Sequence, residues 1–162
     1  MKLYVPEIGD VLTLEKDWTF MLHAESRNET LGELFGYYMP SYARPWVPLS
    51  HPKMRPNVYN NEHSDEYKQY WIDYHKHREE CDRISQQSIP ITLKKGTILS
   101  VDRVYIRKGS SDFSSITFYA KNIGEMIFDG SNIWGKKKPK KIKAFRFWAK
   151  LSDCNEIEFS IN

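Results

Sequence analysis

The chain has 162 residues, 40% hydrophobic and 14% aromatic, with 24 Lys+Arg against 21 Asp+Glu. That length suits one ordinary domain or two small ones, and no stretch approaches the run of about 18 apolar residues that a membrane helix needs. The net charge of +3 hides a division: residues 1–88 hold 10 Lys+Arg and 14 Asp+Glu, a net of −4, whereas residues 89–162 hold 14 and 7, a net of +7.

The opening Met1-Lys2-Leu3-Tyr4-Val5-Pro6 lacks the apolar run and small-residue cleavage site of a secretory signal. Cys81 and Cys154 belong to no paired motif, which suits a reducing compartment. The expectation is a cytoplasmic protein.

In chain order, Leu3 to Val5, Val11 to Leu14 and Trp18 to Leu22 read as strands, and Thr30 to Tyr38 reads as a further strand broken by Gly32 and Gly36. Pro40, Pro45, Pro48, Pro52 and Pro56 then exclude regular helix and central strand. This segment is either an extended ligand-contacting arm, with Tyr42, Arg44, Trp46, Lys53 and Arg55, or a strap anchored by Trp46; the strap is favoured. Ser64 to Gln87 predicts a helix. Ser64 is a good N-cap, and Asp65 and Glu66 suit the positive N-terminal end. Tyr67, Tyr70, Trp71, Tyr74, Cys81 and Ile84 form one apolar face, which either packs as a spacer or forms a dimer contact.

The C-terminal half reads more cleanly. Ile89 to Leu93 leads into a long strand, Thr97 to Arg107. Its apolar residues change parity near Asp102-Arg103, from Leu99 and Val101 to Val104 and Ile106, which predicts a bulge or sharp bend. Lys108-Gly109-Ser110-Ser111-Asp112 is a turn. Ile116, Phe118 and Ala120 alternate in the next strand. Phe145, Phe147, Ala149 and Leu151 alternate with Arg146, Trp148 and Lys150 in another, which points Trp148 outward. Residues 122–142 form a long loop, Ser152 to Asn155 a turn, and Ile157, Phe159 and Ile161 a last strand. About five short strands of this kind tend to close into a small barrel.

An internal echo links the halves. Gly9-Asp10-Val11-Leu12-Thr13-Leu14-Glu15-Lys16 matches Gly96-Thr97-Ile98-Leu99-Ser100-Val101-Asp102-Arg103 at every position except Asp10/Thr97, by identity or conservative exchange. The expected fold is therefore mainly β with one long helix: two small SH3/KOW-like barrels joined by a Pro-rich segment and an amphipathic helix. The expected boundaries are 1–60, 61–88 and 89–162.

Catalytic and metal motifs are absent or incomplete. There is no phosphate-binding glycine loop, no Gly-x-Ser-x-Gly and no Cys-x-x-Cys. Glu7, Asp10, Glu15 and Asp17 read as strand-edge and turn charges. His77 and Cys81 share a helix face, but zinc needs more ligands and nothing forces His63 to supply one. The expectation is no enzyme, no cofactor and no metal.

The cations carry the stronger signal. Lys136, Lys137, Lys138, Lys140, Lys141, Lys143 and Arg146 fall within eleven residues, beside Trp134, Phe145, Phe147 and Trp148. Lys94, Lys95, Arg103, Arg107 and Lys108 flank the long strand, and Lys150 follows Trp148. Cations beside aromatic rings suit phosphates and base or sugar contact. The helix is roughly charge-balanced and rich in tyrosine, which argues against major-groove sequence readout. Duplex DNA bound with little sequence preference is the expected partner. A solvated lysine loop and an acidic protein partner are the alternatives.

The two echo segments resemble the opening strand of KOW/SH3-like small barrels, which occur in nucleic-acid-binding and transcription factors. The opening Pro6-Glu7-Ile8-Gly9-Asp10-Val11, together with Val101-Asp102-Arg103-Val104-Tyr105-Ile106-Arg107 and Phe145-Arg146-Phe147-Trp148, is similar to early proteins of T-even bacteriophages of the modifier-of-transcription-B type. That resemblance implies a non-catalytic, DNA-associating host-takeover factor that alters transcription at the host nucleoid.

Overall fold

The computed structural model describes residues 6–40, 45–51, 64–107, 114–128, 131–132, 135–136 and 139–162. The chain is mainly β. Strands β1 (Val11–Leu14), β6 (Ile98–Tyr105), β7 (Ser115–Phe128), β10 (Lys140–Lys150) and β11 (Phe159–Ile161) form an antiparallel sheet in the order β10-β7-β6-β1-β11. A ribbon of β2 (Trp18–His23) and β5 (Ser88–Leu93) makes a second sheet. Two shorter ribbons pair β3 (Tyr37–Tyr38) with β4 (Val47–Pro48), and β8 (Ser131–Asn132) with β9 (Gly135–Lys136). The helices are α1 (Glu29–Leu34), which follows a 3₁₀ turn at Ser26–Asn28, then α2 (Asp65–Ile84) and α3 (Leu151–Cys154). None of them is long and apolar enough to cross a membrane.

The two echo segments are neighbours. Val11, Leu12 and Thr13 pair antiparallel with Ser100, Leu99 and Ile98. Four backbone bonds obey a local two-fold: Gly9 N–H donates to Val101 O (2.9 Å) as Gly96 N–H does to Leu14 O (2.7 Å). Likewise Val101 N–H donates to Asp10 O (2.9 Å) as Leu14 N–H does to Thr97 O (2.9 Å). Gly9 and Gly96 both hold positive φ, +96° and +85°, in the turns that start each copy. The one mismatch keeps the same task. Asp10 and Thr97 each close a turn through a side-chain oxygen, Asp10 Oδ2 accepting from Glu7 N–H at 2.8 Å and Thr97 Oγ1 donating to Lys94 O at 2.7 Å.

This pairing places strands from both expected modules in one sheet. β1, from the first predicted module, lies between β6 and β11 of the last, and β2 pairs with β5 from Trp18↔Leu93 to His23↔Ser88. The described strands lie in open sheets, and the five-stranded sheet shares its core with the β2–β5 ribbon. Alternation marks which face of a strand is buried without naming the strand beside it.

The core is packed between the five-stranded sheet and the β2–β5 ribbon. Trp18, Phe20 and Leu22 alternate inward from β2, and Ile89, Ile91 and Leu93 from β5. They meet Leu99, Val101, Ile116, Phe118, Phe145 and Phe147. Phe20 stacks on Trp18 at 4.3 Å and on Phe147 at 5.1 Å, centroid to centroid. Each large apolar side chain so buried contributes about 1.5–3 kcal/mol, and favourable ring pairing adds to it.

Trp46 anchors the Pro-rich segment, as expected. It is fully buried, donates through Nε1 to Leu22 O at 2.9 Å, and lies flat against Gly32, where a Cβ would overlap the indole. Gly32 therefore stands inside α1 rather than breaking a strand. The predicted strand over Thr30 to Tyr38 is instead α1 followed by the two residues of β3. Other cations and rings of the proposed arm, including Tyr42, Arg44, Lys53 and Arg55, lie outside the described residues.

The expected bulge is present. Val101 pairs with Phe118 and Arg103 with Thr117, leaving Asp102 as the extra residue. The expected loop over 122–142 is largely a hairpin arm, because β7 and β10 continue pairing out to Lys140↔Phe128 and β8–β9 extends it. The expected turn at Ser152 to Asn155 is mostly α3, and Ile157 precedes the last strand rather than opening it. The expected helix runs over Asp65–Ile84, with Ser64 Oγ accepting from Tyr67 N–H at 3.1 Å.

Candidate nucleic-acid interface

The bulge at Asp102 determines what the outer face of the main sheet presents. It returns Arg103 and Tyr105 to the face away from the core, where cross-strand pairing lines them up with β7 and β10. One row runs Arg103–Thr117–Trp148 and the next Tyr105–Ser115–Lys150. On β10, Phe145, Phe147 and Ala149 are buried on the core side, and Arg146, Trp148 and Lys150 occupy the opposite face, as their parity predicted.

A half-open cleft of about 1080 Å³ lies over these rows. Arg27, Arg103, Arg107 and Lys150 line it, with Asp102 as the one lining carboxylate among the described residues. His23 and Trp148 form its aromatic wall, stacked at 5.1 Å and 8°. The 3₁₀ turn locks this wall to the sheet: Asn28 Oδ1 accepts from Trp148 N–H at 2.9 Å, and Asn28 Nδ2 donates to His23 O at 2.9 Å. The ring atoms Trp148 Nε1 and His23 Nε2 are buried and have no hydrogen-bond partner within the described residues. Burial, then the Lys150 ammonium, holds His23 below the ordinary histidine value, against a smaller opposing pull from Asp153.

Beside the cleft, on the same sheet face, Arg146 is committed. Its Nη2 and Nε donate to Asp102 Oδ2 at 2.8 and 3.2 Å, and its guanidinium lies 6.0 Å from the Tyr119 ring centre. Arg103 Nε is 3.7 Å from the same carboxylate oxygen. Asp102 thus fixes one arginine and steadies a second beside the cleft.

The remaining expected cations stand elsewhere. Lys94 and Lys95 occupy the turn before β6, eight residues or more from Arg103, which is roughly 25 Å along a strand. Asp17 accepts from Lys94 Nζ at 2.8 Å and from Lys95 N–H at 2.9 Å, and the Lys94 bond is the main cause of its lowered pKa. Lys140, Lys141 and Lys143 lie on the hairpin arm. Glu125 pairs with Lys141 at 2.5 Å and Lys143 at 3.4 Å, and the Lys141 bond chiefly depresses its pKa. The backbone of Lys136 belongs to β9; Lys108, Lys137 and Lys138 lie outside the described residues.

The structure therefore brings together Arg103, Arg107, Trp148 and Lys150, sets Arg146 beside them, and separates Lys94, Lys95 and the arm lysines. Sequence reasoning missed Arg27, His23 and Tyr105. Arg27 and His23 belong to the acidic half and reach the cleft only through tertiary contact. Tyr105 carried a signal, because it follows the predicted bulge by three residues and so shares the face of Arg103. Compared with protein-family models, curated proteins and solved structures, the chain matches none.

Proposed function

We propose that this chain is a non-catalytic DNA-binding protein that holds duplex DNA in the cleft with little sequence preference. The observation that carries the reading is the single face joining Arg27, Arg103, Arg107 and Lys150 to the His23–Trp148 stack. Guanidinium and ammonium groups neutralise phosphates, and an aromatic ring lining the cleft suits sugar or base contact. The helix α2 offers no base-reading role, since His23, Trp148 and the cations are all mounted on strands or turns. By its resemblance to the phage early proteins, the chain would act as a host-takeover factor that modulates transcription at the nucleoid, in the host cytoplasm. On this reading no cofactor is needed.

Fluorescence anisotropy with a random-sequence duplex at several salt concentrations tests it. Four neutralised phosphates give a log–log slope of about −3.6, so fourfold more salt should weaken binding on the order of a hundredfold. A flat response, or no binding at low salt, would sink the proposal.

A second reading, an inhibitor that docks on a host protein, is favoured by α2. Trp71 and Ile72 on that helix are 40% and 61% exposed. The same face is what a dimer through residues 64–87 would use. Host nucleoid or transcription proteins are the partners this reading implies, and copurification that survives nuclease treatment would distinguish it.

A further inference from the structure

We propose that His51, His77 and Cys81 form a zinc site that staples α2 to the β3–β4 ribbon. On the helix, His77 and Cys81 are one turn apart and face the same way. The third group comes from the strap: a turn after β4, closed by His51 N–H donating to Pro48 O at 3.0 Å, sets the His51 ring on His77 with centroids 4.7 Å apart. The candidate ligand atoms of all three residues lie within 4.8 Å of one another. Cys81 Sγ is 3.7 Å from His77 Nδ1 and 3.8 Å from Nε2. Zinc bonds of about 2.3 Å to sulfur and 2.0–2.1 Å to nitrogen at tetrahedral angles put such atoms about 3.5 Å apart, so small side-chain rotations suffice.

Two further features suit a metal. His51 Nε2 is buried and has no hydrogen-bond partner within the described residues, although a buried ring nitrogen ordinarily has one. Cys81 is 1% exposed, so its sulfur is shielded from solvent.

The frame around the site is fixed independently of the ion. Trp46 and Gln86 exchange backbone hydrogen bonds at 2.7 and 2.9 Å, tying the strap to the chain just beyond α2. Tyr38, Val47 and Cys81 with Ile84 make a small core of their own, separate from the main one. Cys81 is the one buried residue of α2. One sulfur and two imidazoles select a borderline-soft ion such as Zn²⁺ over Mg²⁺ or Ca²⁺. On binding, the Cys81 S–H bond breaks as the Zn–S bond forms, and the proton passes to solvent. Water takes the fourth position.

The test titrates the metal-free full chain with Co²⁺, then Zn²⁺. One equivalent of Co²⁺ should give a thiolate-to-metal charge-transfer band that Zn²⁺ abolishes, and Zn²⁺ should raise the melting temperature. Cys81→Ser should remove the band. His51→Ala and His77→Ala should each weaken Co²⁺ binding by more than about 100-fold, beyond the ~10–100-fold that loss of an outer-shell partner costs. Cys154→Ser should change nothing. Because His51 is only half-buried, its variant is informative even if Cys81→Ser unfolds. Absence of the band on folded protein, undiminished affinity in both histidine variants, or loss of the band in Cys154→Ser would overturn the site.

Discussion

The cleft and the hairpin arm are both basic, yet they differ in how their charge is held. In the cleft, one bulge, one carboxylate and one stacked ring pair accompany Arg103, Trp148 and Lys150 on the outer sheet face, with Arg107 just beyond the end of β6. On the arm, Lys141 and Lys143 converge on Glu125, and Lys140 extends past them near the hairpin's outer end. Charge beside a stacked ring suits short-range contact, whereas charge away from one acts mainly at long range and is screened by salt. On the proposed reading a polyanion seats in the cleft rather than on the arm.

The largest expected effect separates the two faces of β10. Phe147→Ala should cost on the order of 3–5 kcal/mol of stability, since its ring fills the core against Phe20 and Phe118. Trp148→Ala, one residue on, should chiefly cost affinity, about 1–3 kcal/mol, because its ring faces the cleft. Thermal melts beside binding isotherms read both quantities. A Trp148 variant that loses stability without losing affinity would move that residue from the interface to the structure.

Next in size is the cation set. Arg103→Ala, Arg107→Ala and Lys150→Ala together should make the salt slope shallower by about 2.7, roughly 0.9 for each phosphate no longer neutralised. Lys141→Gln with Lys143→Gln should change affinity by no more than about threefold, an effect of the size expected for solvated charges already near a carboxylate. Anisotropy titrations over a salt series measure both, and the comparison breaks if the arm variant costs more than the cleft variant.

The smallest effect is titration of His23. Its folded pKa lies below the unfolded value of about 6.5, so the unfolded chain takes up the proton first as pH falls. The associated stability is present above about pH 6.5 and is lost as pH drops through the depressed folded value. His23→Gln should remove that component, flattening the melting temperature against pH just below 6.5, while the loss tied to Asp17 and Glu125 at carboxylate pH remains.

Much of this was legible before the strands were placed. The parity change at Asp102 foretold the bulge, and alternation over Phe145 to Lys150 foretold which face Trp148 takes. Ser64 and the tyrosine spacing foretold α2, and the isolated Trp46 foretold an anchor. What was not legible depended on partners distant in sequence. Nothing local to Gly9–Lys16 says that its echo is its neighbour, nothing near Arg27 assigns it to a basic cleft, and nothing near His51 aims it at Cys81. Gly32 misled in a definite way: a helix-weakening glycine looked like a strand break, although it is there to admit the face of Trp46.

The most direct test of the central claim is chemical-shift mapping of the labelled protein with a random-sequence duplex, using the Trp148 indole N–H as reporter. The account predicts the largest shifts at His23, Arg27, Arg103 to Arg107, Thr117, Trp148 and Lys150, with the indole resonance among them. Shifts confined to the hairpin arm or to the exposed face of α2, with the Trp148 indole unmoved, would contradict it.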